Sequence, residues 1–125
     1  MPNFPKREHI VSTRLIEQLF SSGSTSMAAY PLRAVFRMVE RSQTDVPVQV
    51  LISVPKKRFK HAVDRNRVKR QIREAYRQYK QPLVDAIPSN QGLLLGFIWV
   101  GDCLAPSSIV GNRIEKLMIR IAEKL

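Results

Sequence analysis

Residues 52–81 read ISVPKKRFKHAVDRNRVKRQIREAYRQYKQ, and within them the chain changes period. Val48, Val50, Ile52 and Val54 form one side of an alternating set opposed by Gln49, Leu51 and Ser53, as in a strand, and Pro55 closes that pattern because it cannot donate to a ladder. From Ala62 to Gln81 the spacing becomes helical, with Pro82 as the expected stop. Wound at about 100° per residue, Val68, Ile72, Ala75, Tyr76 and Tyr79 fall in one sector, the face a helix packs on a sheet. Lys69, Arg70, Arg73, Arg77 and Lys80 fall in the next sector, with Asn66 among them. A packing face beside a strip of cations is the local expectation.

The charge is concentrated here. Lys56–Lys80 holds eleven basic residues against Asp64 and Glu74, a surplus of nine in a chain of 125 residues whose net charge is +11. Charge that dense repels itself, so it points to a polyanion rather than to folding. A merely solvated helix face would mix signs. Lysine offers a point charge to phosphate; arginine can also grip two oxygens and stack on a base. Asn66, between Arg65 and Arg67, starts a helix in the plain reading, yet its amide also suits base or ribose contact.

Working outward, Ser12 or Thr13 caps a helix that places Leu15, Ile16, Leu19 and Phe20 on one side. Ser21-Ser22-Gly23 ends it, Gly23 being free to adopt a left-handed conformation. Residues 1–11 read as an extended arm and Ser24–Ala29 as a loop. Leu32, Ala34, Phe36 and Met38 alternate as a strand, with a hairpin turn at Gln43–Pro47 leading to Val48. LLLGFIWV at 93–100 lacks alternation and predicts a central strand covered on both faces. Pro106 and Ser107 open a last helix with Val110, Ile114, Leu117, Met118, Ile121 and Leu125 as its stripe. The expected architecture is a single nucleic-acid-binding domain over 1–125, of class α+β. Three or four strands form a small mixed sheet packed with three helices, in the order α-β-β-(β)-α-β-α.

Other chemistries find little support. The longest apolar run, Leu93–Gly101, is about half a membrane span. One cysteine, Cys103, permits no internal disulfide; with no base placed beside it, it reads as a structural thiol in a reducing, cytoplasmic setting. His9 and His61 lack companions at metal-ligand spacing, so no metal site is expected. The acidic residues are scattered. A stand-alone nuclease would have to gather Asp64, Glu74 and Asp102, and no catalytic residue is expected.

RNRVKRQIREAYR at 65–77, preceded by ISVPKK at 52–57 and HAV at 61–63, resembles the signature of the bacterial ribonuclease P protein subunit. KREHIVSTRLIEQLFSSG at 6–23 resembles that family's opening helix, so the likeness extends over nearly the whole chain. It implies a left-handed βαβ crossover, like that of the second domain of ribosomal protein S5. It also implies a partnership with a catalytic ribonuclease P RNA that removes the 5′ leader of precursor tRNA, using Mg2+ held mainly by that RNA. The protein would be a monomer within the ribonucleoprotein. Carried over by position, Lys56, Lys57, Arg65, Asn66, Arg67, Lys69, Arg70, Arg73 and Arg77 are the expected RNA-binding residues. Phe20, Ile16 and Phe36 are the expected lining of a leader cleft between sheet and helix. The family's usual glycine after the Lys-Lys pair is replaced by Arg58-Phe59-Lys60, where Phe59 is expected to be a local core plug. A general, ribosomal-type RNA-binding protein is the competing reading, since it needs only the charge.

Overall fold

The computed structural model describes residues 5–125. Helix α1 (Thr13–Leu19) is followed by strands β1 (Thr25–Ala29) and β2 (Leu32–Glu40), and then by the short helix α2 (Arg41–Thr44). Next come β3 (Val48–Ser53), the long helix α3 (Ala62–Ala86), β4 (Gln91–Trp99) and α4 (Ser107–Lys124). The four strands form one sheet in the order β1-β2-β4-β3. β4 sits inside it, antiparallel to β2 from Leu32↔Trp99 to Glu40↔Gln91 and parallel to β3 from Val48↔Leu93 to Ser53↔Ile98. Its two-sided apolar sequence suits that central place, because both faces of β4 are covered.

Strand parity sorts the side chains into two layers. Leu32, Ala34, Phe36, Val48, Val50, Leu93, Leu95, Phe97 and Trp99 meet the buried stripes of α3 and α4 in the main core. On the opposite face Val35 and Leu94 pack with Ile10, Leu15 and Leu19 of the arm and α1. There α1 rides directly over Gly96, where an added Cβ would lie 3.1 Å from Leu19 Cδ2. Each fully buried Leu, Ile or Phe in these layers contributes about 1.5–3 kcal/mol.

Several local expectations need correction. Thr25–Ala29 is not a loop but an edge strand, paired with β2 from Thr25↔Phe36 to Ala29↔Leu32. The hairpin therefore lies at Tyr30-Pro31. β2 and β3 are not paired, since β4 inserts between them, and residues 41–47 hold α2 and a left-handed Asp45 (φ 60°). Gly23 has no left-handed φ; its open side is filled by the Arg37 guanidinium. Pro82 does not stop α3, which continues to Ala86. The lost hydrogen bond and ring clash cost about 3 kcal/mol, offset by burial of Leu83 and Ile87. Leu125 is exposed, outside the α4 stripe, and Cys103 is exposed as well, so its thiol serves no packing role.

The arm expected over 1–11 lies partly outside the described residues. Its described part makes a 3-10 turn at Lys6–Glu8 and then joins the free edge of β3, with Ile10 N–H donating to the Val50 carbonyl at 2.9 Å. Gln49 Nε2 donates to the Arg7 carbonyl, also at 2.9 Å.

Candidate nucleic-acid interface

Between β3 and α3 the chain must turn a string of cations without collapsing them onto themselves. Phe59 is the pin: it is buried, with its ring centroid 6.2 Å from that of Trp99. Arg65 reaches back from the first turn of α3, its Nη1 donating to the carbonyls of Phe59 at 2.8 Å and Lys60 at 3.0 Å. Arg58 pairs with Asp102 at 2.9 Å. These contacts fix the loop and leave Lys56, Lys57 and Lys60 at the surface. Arg65 thus acts first as a brace; its role is partly structural.

Along α3, Asn66, Arg67, Arg70 and Arg73 lie at the surface, and Lys69 is half-buried beside them. Among the described residues no hydrogen bond or ion pair engages these four cations. From Asn66 to Arg73 the strip spans about 10 Å at 1.5 Å per residue. Cations held by a rigid helix with no internal counter-ion are ready for phosphate oxygens. Further along the charge is consumed internally: Arg77 pairs with Glu74. Lys80, expected in the strip, is only 8% exposed, with its Nζ 2.9 Å from Glu8 Oε1 and 3.2 Å from Oε2. It ties the arm to the helix. Beneath it, burial first and the Glu8 charge second push the Tyr76 phenol well above its ordinary range.

The three residues expected to line a cleft do not all meet. Phe20, at the C-terminal end of α1, is 49% exposed, and Ile16 packs half-buried one turn earlier on the same side of the sheet. Phe36 is 5% exposed in the main core on the other side. It cannot line a surface with Phe20, because it shares parity with Leu32 and Ala34. Arg33 and Arg37 take the parity of Val35 instead, toward Phe20. Arg37 Nη1 donates to Ser21 Oγ at 2.9 Å, next to Phe20. Local sequence reading passes over both arginines, although their alternation with Val35 and Val39 marks them as one side of a strand.

The groove between α3 and α4 is unsuited to phosphate. A cavity of about 480 Å³ between the second half of α3 and α4 is lined by Tyr79, Pro82, Leu83, Met118 and Ile119, with Glu115 and Glu123 at its rim. Its apolar floor and acidic rim repel a polyanion. Asp64, Glu74 and Asp102 are not gathered. Among the described residues no three His, Cys, Asp or Glu side chains form a set that could hold a metal ion. Among the same residues no helix is long and apolar enough to cross a membrane.

The family model described as Ribonuclease P matches residues 4–90. The ribonuclease P protein component of Porphyromonas gingivalis is 38% identical over 118 residues, covering 94% of this chain and 85% of the relative. That of Chlorobium phaeobacteroides is 43% identical over 129 residues, covering 94% and 88%. Among solved structures, the ribonuclease P protein of Staphylococcus aureus superposes with a TM-score of 0.70 at 20% identity, covering 93% of this chain and 95% of that one. The Thermotoga maritima protein gives 0.65 at 20% identity, covering 96% and 97%.

Proposed function

The chain belongs to the ribonuclease P protein family and is the protein component of that endoribonuclease, and on that footing we propose how it works. The exposed face of α3 from Asn66 to Arg73, with Lys56 and Lys57, binds the catalytic RNA through its phosphates. Phe20 and Ile16, flanked by Arg33 and Arg37, contact the single-stranded 5′ leader of precursor tRNA. A single copy acts in the cytoplasm. The RNA performs the hydrolysis and holds the Mg2+. The observation that carries this reading is the run of unpaired cations on the first half of α3.

In this scheme the protein supplies position and charge. Its cations offset phosphate repulsion when RNA and substrate come together, so they matter most where divalent ions are scarce. The test is reconstitution: add the purified chain to a bacterial ribonuclease P RNA at low magnesium and follow precursor-tRNA cleavage. Stimulated release of the leader is expected. No stimulation, or cleavage by the protein without RNA, overturns the proposal.

A further inference from the structure

At the end of the sheet where β2 begins and β4 finishes, the chain holds an aromatic ring in water on a rigid mount. Tyr30 is 68% exposed. Its carbonyl accepts a hydrogen bond from Arg113 Nε of α4 at 3.0 Å, and the next carbonyl, that of Pro31, accepts from Val100 N–H at 2.8 Å. Gly101 closes the mount from below. A Cβ there would lie 2.8 Å from Pro31 Cβ and 3.4 Å from Tyr30 Oη, so the glycine makes room for both residues. Its neighbour Asp102 pairs with Arg58, which joins the mount to the basic 56–60 loop. Ile109, 37% exposed, lies one helical turn before Arg113, and Lys116 nearly one turn after it.

Hydrophobic burial does not account for this arrangement, since the ring remains in solvent while its backbone is fixed at two carbonyls. A preorganised ring loses little entropy on contact, and cations beside it attract phosphate while the face takes a base. The geometry points to Tyr30 as a stacking platform for an unpaired RNA nucleobase, with Arg113 and Lys116 steering the adjoining backbone. This rests on the proposed RNA-binding role and adds to it a contact outside both the α3 strip and the Phe20 side of the sheet. The base belongs either to the catalytic RNA or to the precursor leader.

The test compares Tyr30→Ala, Tyr30→Phe and Tyr30→Trp with the unaltered full chain and with Arg70→Ala. Affinity is measured for a bacterial ribonuclease P RNA, and then, with that RNA bound, for precursor tRNA and for mature tRNA. Tyr30→Ala is expected to weaken one of these steps about 5- to 100-fold, the range of one base–aromatic stack. Tyr30→Phe should bind like the unaltered chain. Loss at the first step identifies a base of the catalytic RNA; loss confined to precursor tRNA identifies a leader base. In Tyr30→Trp, the emission of the introduced indole should be quenched on RNA addition beyond any change from the buried Trp99. If Arg70→Ala weakens binding while Tyr30→Ala does not, or the introduced indole's emission is unmoved, the platform is wrong and the RNA reading stands. If neither variant weakens binding, both are overturned. Tyr30 lies outside the core, so thermal unfolding of its three variants should match the unaltered chain.

Discussion

The two halves of α3 carry similar numbers of polar residues but differ in what their charges do. From Asn66 to Arg73 the cations are accessible and unpaired; from Glu74 to Ala86 they are neutralised, Arg77 by Glu74 and Lys80 by Glu8. The second half also borders the apolar, acidic-rimmed cavity against α4. A lysine in a basic helix is thus a candidate phosphate ligand only where the fold leaves it without a counter-ion. Position within the fold, more than charge count, divides an interface from a scaffold.

The sharpest way to break that contrast is to remove Glu8. Lys80 would be left nearly buried beside the arm, so Glu8→Ala should lower stability by about 3 kcal/mol while leaving the salt dependence of RNA binding unchanged, as read by denaturant unfolding and binding titrations. A changed slope would mean that Lys80 had joined the interface. Arg65→Ala comes next, with a loss of about 2 kcal/mol from two charge-assisted bonds to the 59–60 carbonyls, together with weaker RNA binding. Arg70→Ala should leave unfolding unaltered, yet lower the salt slope of binding by about one unit. Arg77→Ala should move that slope less, since Glu74 already competes for its charge. The smallest effect is alkaline. Tyr76 has a folded-state value above its unfolded 10.0, so its contribution is intact below pH 10 and is lost as pH rises past it. Tyr76→Phe should reduce the steepness of the stability decline above pH 10 by about one proton.

Periodicity made much of this legible. β2, β3, the two-sided β4, the α4 stripe and the packed and charged sides of α3 all follow from spacing within one element. What escaped depends on partners distant in sequence. Thr25–Ala29 buries only Met27 and becomes a strand through its ladder with β2. No local signal says that β4 would displace β3 from beside β2. Lys80 reads as a strip residue because its partner lies 72 residues away. Phe36 groups with Leu32 and Ala34 in sequence and in the fold, but alternation alone does not say which face of the sheet meets α3 and which meets α1. The Phe20 side can be tested separately. Phe20→Ala should reduce crosslinking to the precursor leader while binding of mature tRNA is kept; equal losses would argue against a leader contact there.

One measurement bears most directly on the contrast within α3: the salt dependence of binding to the catalytic RNA for two multiple variants. Replacing Arg67, Arg70 and Arg73 with alanine should lower the slope of log affinity against log salt by about three units. Replacing Arg77 and Lys80 with alanine should lower it by less than about one unit, even though the fold is weakened. Equal decreases, or a larger one for the second set, would contradict the division of α3 into an interface and a scaffold.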